Sequence, residues 1–427
     1  MYNDTFERAR KWIYLNARNI DMARFQYLFE NGSREAVLSA LEEYQNEDGG
    51  FGHALEADSF NPLSSPIQTW AATEILNEVG FEEDHPVIRG ILKYLESGKD
   101  FDGKRWLNTV PSNNDYPHAS WWSYNAQSHD TVTYNPTAAL AGFAVRFAGK
   151  DSDLYKKCLG IVKEAILCLK ETELCDEMHI LACYVRMTQY CRKAGLADEL
   201  MIDDVEKIIL QRINKTITWD RESWKVNYVC KPSNFFMDKE SFLYQSFKEL
   251  ANYECDFIRN TQKPDGTWPV NWKWDDYTEQ WHIAENWWKA HLTIMNLRFL
   301  QGLGEETFGN ASMIRKLYCV NLHTSQIETM KSFYHDFLDI PIMFPGYCND
   351  IDGIKLGFGV DALQICLWRE EMWGKGNGPV EIAVRGRLED IVKRLEEKQY
   401  PKFKLLNESY GKILIIHDPD GNQLSVM

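Results

Sequence analysis

The period of the apolar residues changes once along this chain, and that change fixes how many folding units it can hold. From residue 4 to about 303, apolar side chains recur every three or four positions, as in REAVLSALEEYQ, SPIQTWAATEILNEVG, VIRGILKYLESG, NPTAALAGFAVRFAGK and ENWWKAHLTIMNLRFLQGLG. That spacing gathers them on one face of a helix. Gly80, Gly98 and Gly304 follow such runs as C-terminal caps do, and Pro66 and Pro136 stand near helix starts, where a missing N–H costs nothing. After roughly residue 312 the pattern becomes that of strands: KLYCVNLHT, GIKLGFGVDALQICLW, VEIAV, GKILIIHD and NQLSVM. Two helical patterns, SQIETMKSFYHDFL and RLEDIVKRLEEKQY, interrupt them, so the order is β-α-β-β-β, twice. The reading is a multidomain chain: an all-α domain over 1–305, a linker over 306–313, and an α+β domain of two βαβββ modules over 314–427.

The helical part carries an internal repeat. Gln45-x-x-Asp48-Gly49-x-Phe51 recurs as Gln262-x-x-Asp265-Gly266-x-Trp268, and Asp102-Gly103-x-x-Trp106 is a degenerate third copy. Each copy follows one apolar helix and precedes another, as expected of helix pairs stacked in an array.

Composition narrows the function. The chain of 427 residues has 47 Lys and Arg against 63 Asp and Glu, a formal charge of −16, which argues against a nucleic-acid partner. No run of about twenty apolar residues spans a membrane, and the charged, amphipathic start MYNDTFERARKWIYL lacks the apolar core of a secretory signal. Ten cysteines include no C-x-x-C pair, which suits reduced thiols and a cytoplasmic location. Of fifteen tryptophans, all but Trp368 and Trp373 precede residue 300, in clusters at Trp121-Trp122, Trp268-Trp272-Trp274 and Trp281-Trp287-Trp288. Indoles pack cores, and they also line cavities for flat or apolar ligands.

Two resemblances follow. Ser332-Phe333-Tyr334-His335-Asp336-Phe337-Leu338 and Asp418-Pro419-Asp420-Gly421-Asn422, within the paired βαβββ modules, resemble the glyoxalase/bleomycin-resistance group, the vicinal oxygen chelate superfamily. The family's four metal positions fall on Glu381, Ser425, Tyr318 or Cys319, and Gln364 or Cys366. One oxygen ligand among four does not hold a divalent cation, so the resemblance implies a metal-free cleft binding a small molecule, with Glu381 at its wall and no cofactor. Such modules close their clefts alone or by pairing across a homodimer.

The first 300 residues resemble the α/α toroid of terpene cyclases and prenyltransferase β-subunits, through the repeated Q-x-x-D-G-x-[FW] motif, which is structural in that family. No D-x-D-D is present, and Asp275-Asp276-x-x-Glu279 reads as a solvated acidic turn. Asp48 to Asp58 (DGGFGHALEAD), Ser64-Ser65 with Thr69, Pro117-His118 with Trp121-Trp122, and Asn135-Pro136-Thr137-Ala138 also resemble a signature of bacterial toroid-type proteins. That likeness supplies positions and no reaction. Cys175, His179 and Cys183, four apart in CDEMHILAC, read as one helix face holding a buried neutral imidazole between two thiols, with a zinc site as the less favoured alternative.

The candidate site is the half of the signature that the second repeat copy lacks, GHALEAD. His53, Glu56 and Asp58, with His118, supply an imidazole and carboxylates for acid–base catalysis; Trp121, Trp122, Asn135, Trp268 and Trp287 supply walls for a substrate. The structural alternatives are Asp58 and Ser65 as helix caps, Glu56 in an ion pair, and Trp281, His282 and Trp287 as packing. Three functions stay open. One is a lyase, isomerase, cyclase or hydrolase acting on a polar, terpenoid or sugar-like substrate. The others are a non-catalytic binding or resistance protein, and a metal-dependent lyase, isomerase or dioxygenase in the C-terminal half.

Overall fold

The computed structural model describes residues 4–30, 32–80, 85–127, 133–304, 314–337, 340–347, 353–357, 364–373, 380–384, 388–397, 399–408, 411–417 and 423–426. The chain divides into two compact units, Met1–Phe308 and Gly309–Met427. The expected linker, 306–313, lies outside the described residues.

The first unit is helical: α1 (Asp4–Asn16), α2 (Asn19–Glu30), α3 (Arg34–Glu42), α4 (Pro66–Val79), α5 (Pro86–Ser97), α6 (Thr137–Phe147), α7 (Asp153–Glu171), α8 (Met178–Lys193), α9 (Ile202–Thr216), α10 (Tyr244–Thr261) and α11 (Thr278–Gly302). Ser65 caps α4 by accepting from the Gln68 N–H, and Pro66 fills the position where no N–H is needed. Burial sorts the helices into two kinds. In α6 nine successive residues, Thr137 to Val145, are buried, whereas α5 buries one stripe, Val87, Ile88, Ile91, Tyr94 and Leu95. Helix α6 packs on α4, α5, α7 and α8, and α11 packs on α10, α1 and α2, so the last helix returns to the first two. The close approach of α6 to α8 needs Gly142, where a Cβ would stand 3.0 Å from Met187 Cα. No described helix is long and apolar enough to cross a membrane.

The repeated motif works as a staple between helix pairs. The Gln45 amide donates to the Gly49 carbonyl (2.9 Å) and to Val87 O in the first turn of α5 (3.1 Å). Gln262 does the same to Gly266 O (3.0 Å) and to Thr5 O in the first turn of α1 (2.8 Å). Asp48 Oδ1 accepts from Gly50 N, and Asp265 Oδ1 from Thr267 N, both at 3.0 Å. Gly49 and Gly266 sit at φ 90° and 96°, pressed on the neighbouring helix: an added Cβ would lie 2.1 Å from Gly90 O or 2.3 Å from Arg8 O. Only glycine fits there. The aromatic ends are held too, since Phe51 N donates to Thr69 Oγ1 (3.1 Å) and, in the degenerate copy, Trp106 N donates to Thr137 Oγ1 (3.0 Å). Thr69 and Thr137 therefore belong to the staple.

The second unit holds β1 (Ile314–Thr324), α12 (Ile327–Ser332), β2 (Ile342–Tyr347), β3 (Gly353–Gly357), β4 (Gln364–Arg369), α13 (Glu370–Trp373), β5 (Val380–Val384), α14 (Leu388–Glu397), β6 (Phe403–Glu408), β7 (Gly411–His417) and β8 (Gln423–Val426). One eight-stranded sheet runs β2-β3-β4-β1-β5-β8-β7-β6. Each half repeats one order about the antiparallel β1–β5 seam, with its first strand parallel to its last (β1 with β4, β5 with β8). This is a mixed α+β architecture. The short α13 has no counterpart in the sequence reading, since four residues cannot establish a helical period.

Candidate functional site

The segment after the first staple, residues 52–59, crosses the helical unit in a shape its sequence does not favour. His53 and Ala54 both hold left-handed backbone, φ 57° and 59°, which for residues with a Cβ costs free energy that the surroundings must offset. Two side chains do so. Arg18 Nη1 donates to Ala54 O (2.8 Å), and the Gln68 amide, in the first turn of α4, accepts from Glu56 N (2.7 Å) and donates to Glu56 O and Ser59 O (both 3.1 Å). The segment is then laced to the next repeat: Ala119 N donates to Asp58 O and Phe60 N to Pro117 O, both at 2.9 Å.

This lacing buries two carboxylates close in sequence and gives neither an ion pair among the described residues. Asp58 is 4% exposed, and its Oδ1 accepts from two indoles, Trp274 Nε1 at 2.8 Å and Trp288 Nε1 at 2.7 Å. It is not a helix cap. Glu56 is 9% exposed and accepts from Asp58 N at 3.2 Å. Burial pushes the Asp58 carboxyl up to about 6, against the opposing pull of the indole N–H groups of Trp274, Trp288 and Trp272. Burial, and then the Asp58 charge, push Glu56 well above the usual carboxylate range. Arg18 is a nearby cation, but its guanidinium is engaged by Asp21 (2.7 Å) and lies 5.0 Å from the Trp287 ring centroid.

Around the pair stands a wall of indoles. Trp272 and Trp288 meet edge to face at 5.1 Å, Trp274 and Trp281 lie 5.9 Å apart, and Phe60 stacks on Trp287 at 5.3 Å. The indole N–H groups of Trp122 and Trp272 also face the carboxylates, offsetting part of the burial penalty of Glu56 and Asp58 respectively. Neither completes a hydrogen bond: both are buried donors without an acceptor. Behind Trp288, His291 is half-buried and faces Arg24, Asp21 and Glu78, where desolvation and the Arg24 charge push its imidazole down to about 4. Arg24 bonds Glu78 through Nε (2.8 Å) and Nη2 (2.9 Å), tying α2 to α4 beneath the site.

The other sequence candidates lie elsewhere. His53 is exposed and bonds Asn46 Oδ1 (2.9 Å), so it belongs to the staple and not to the carboxylate pair. His118 neighbours the segment but spends both ring nitrogens locally, on Tyr116 O (2.6 Å) and Ser123 Oγ (3.0 Å). Trp121 and Asn135 line a separate polar cleft of about 180 Å³ with Asp102 and Arg105. Trp268 is core: its N–H donates to Ile258 O at 2.8 Å, and it occupies the staple position of Phe51. Glu381 lies on β5 opposite Cys319 and Ser425, and its side chain is outside those described. Trp272, Trp274 and Trp288 were absent from the sequence candidates; Trp274 and Trp288 bond Asp58, and Trp272 stands edge to face with Trp288. The repeat held the signal for two of them, because the segment after the second staple enters the site just as GHALEAD does after the first.

The CDEMHILAC stripe is corrected. Glu177 caps α8, accepting from His179 N (2.9 Å) and Ile180 N (3.0 Å), so Cys175 lies outside the helix. The His179 side chain is 48% exposed rather than buried between thiols. Among the described residues no group of three or more His, Cys, Asp or Glu converges to hold a metal, and no cysteine forms a disulfide.

No family model and no curated relative matches the chain. Solved structures match about a quarter of it. A hypothetical protein from Bacillus halodurans C-125 is 15% identical over 26% of this chain and 91% of its own, with a TM-score of 0.22. Methylmalonyl-CoA epimerase from Mycobacterium tuberculosis is 18% identical over 27% and 89%, TM-score 0.22. A glyoxalase/bleomycin resistance protein/dioxygenase superfamily member from Vibrio splendidus 12B01 is 18% identical over 25% and 94%, TM-score 0.20.

Proposed function

We propose that the helical unit is an α/α toroid whose Trp-walled interior is a catalytic site for acid–base chemistry on a hydroxyl-bearing, sugar-like or polar terpenoid molecule. The observation that carries this reading is the buried Glu56–Asp58 pair, without an ion-pair partner among the described residues, facing two indole N–H donors that have no acceptor. A ligand hydroxyl completes both deficits, accepting from an indole and donating to a carboxylate. A purely apolar ligand completes neither. The opposed environments divide the roles: Glu56, raised by burial and by the Asp58 charge, acts as the general acid, while Asp58, steadied by two indoles, serves as base or as counter-charge. Flat indole faces suit the apolar face of a sugar ring or a terpenoid skeleton.

The α+β unit is assigned as a metal-free, glyoxalase-like binding module. The duplicated strand order about the β1–β5 seam supports this.

The test incubates the intact protein with a panel of glycosides, polyols and hydroxylated terpenoids, with products read by mass. The Glu56→Gln/Asp58→Asn double variant is run beside it. Turnover that vanishes in the folded double variant supports the assignment, and turnover that survives in it removes these residues from the chemistry.

A further inference from the structure

One indole ring away from the carboxylate pair lies a hydrogen-bonded series that the acid–base reading does not use. Tyr228 meets Trp272 edge to face at 5.2 Å, and burial, followed by the Glu177 and Asp58 charges, pushes its phenol up, so it parts with its proton only as another arrives. The Tyr228 Oη lies 3.0 Å from His179 Nε2, and His179 Nδ1 lies 2.6 Å from Glu177 Oε1. The other Glu177 oxygen is anchored by the backbone N–H groups of His179 and Ile180 at the start of α8.

The order of proton donors follows from the acceptors. The His179 contact and the two backbone N–H groups hold the Glu177 carboxyl below its usual range, so it is ionised and only accepts. Nδ1 therefore carries the imidazole proton, and Nε2 presents a lone pair to the Tyr228 hydroxyl. A carboxylate orients an imidazole, which in turn takes the proton of a hydroxyl: this is the logic by which a weak nucleophile or base is activated. The rings of His179 and Tyr228 also stack, at 6.0 Å and 20° between planes, which fixes the approach. The Tyr228 residue as a whole remains 50% exposed.

We infer that Tyr228 is a second catalytic group of the same site, a phenol that passes its proton to His179 as it takes one from a ligand, with His179 and Glu177 as its positioning residues, acting on a ligand hydroxyl held against the Glu56–Asp58 pair. The inference rests on the acid–base reading of that pair. In the step, the ligand hydroxyl gives its proton to Tyr228 Oη as the Tyr228 proton passes to His179 Nε2, and Glu177 holds the resulting imidazolium. Glu56 gives its proton to the oxygen that departs on the other side of the ligand as its bond to carbon breaks, and the deprotonated ligand oxygen bonds to that carbon, closing an internal ether. One proton leaves the ligand and one arrives. Solvent then takes the imidazolium proton and returns one to Glu56.

The relay is testable without the native substrate. The full chain is treated with an arylsulfonyl fluoride, 4-(2-aminoethyl)benzenesulfonyl fluoride. The S–F bond breaks, a bond from sulfur to Tyr228 Oη forms, fluoride leaves, and the phenol proton goes to His179. Peptide mass mapping follows modification at Tyr228 and at Tyr277, which is similarly exposed at 43% and serves as the internal control. The expected result is selective labelling of Tyr228, slowed by about 100-fold in His179→Ala and partly restored by added imidazole. Labelling of Tyr228 no faster than Tyr277, or a rate unchanged in His179→Ala, overturns the proposal. The first comparison needs no variant, so it holds even if His179→Ala fails to fold. The labelling requires no turnover, so its failure leaves the carboxylate reading standing, and failure of the turnover test leaves the relay standing.

Discussion

Replacing Asp58 by Asn removes a charge that the fold buries without a cation partner among the described residues, while keeping an oxygen for the Trp274 and Trp288 N–H groups. The carboxyl rises from 3.8 in the unfolded chain to about 6 in the native protein. Between those values the native state keeps a proton that the unfolded chain releases, so this group's contribution falls as pH rises through the window and is flat above it. At 1.36 kcal/mol per unit, ionised Asp58 costs the native state ~3 kcal/mol at pH 7.5 relative to pH 3.5. The wild-type profile alone hides this, because His291 acts in the opposite direction. Its imidazole falls from 6.5 to about 4, so the unfolded chain takes a proton that the native state refuses, and stability rises with pH across that window. The difference between Asp58→Asn and wild type cancels the His291 contribution and leaves that of the coupled Asp58–Glu56 pair. Tryptophan-fluorescence melting from pH 4 to 8 is expected to show near-equal midpoints at the acid end. Near pH 7.5 the variant melts roughly 5 °C higher, a gain of the kind seen when a functional charge is removed from a strained site. A variant that melts several degrees lower at pH 7.5, with a pH-independent difference, refutes the reasoning and makes Asp58 a structural anchor for two indoles.

His291→Asn is expected to flatten the rise in stability between pH 4 and 6.5, a change of ~3 kcal/mol read by denaturant titration at the two ends of that range; an unaltered slope would mean that another group carries it. Gly49→Ala and Gly266→Ala each drive a Cβ to within 2.1–2.3 Å of a neighbouring helix carbonyl at positive φ, so each is expected to destabilise the helical unit by at least ~2 kcal/mol, seen as a lower midpoint in the same melts. Gly103→Ala, also at positive φ but with open space around it, has the smaller effect, and equal losses at all three positions would deny that helix contact is what the repeat conserves in shape.

What could be read in the sequence divides along the range of the interaction that determines each feature. The staple was legible because its turn geometry is local: Gln45, Asp48 and Gly49 bond within four residues, and the second copy at Gln262 repeats the same bonds. Glu56 and Asp58 stood out because a capping segment needs one such residue, and here Ser65 does the capping alone. Their partners were hidden by distance along the chain. Trp274 and Trp288 lie 216 and 230 positions from Asp58, so only closure of the last helix onto the first ones brings them in, and neither period nor composition states that closure. Trp287 drew attention in place of Trp288 because neighbours on a helix differ by 100° in direction and the sequence does not say which one faces the pair. The same ambiguity hid the relay. Apolar period alone carried α8 back to Cys175, yet Glu177, a residue outside the usual capping set, starts the helix and turns His179 out toward Tyr228. Local pattern placed the scaffold, and the carboxylate pair's surroundings came from what helices distant in the chain bring face to face.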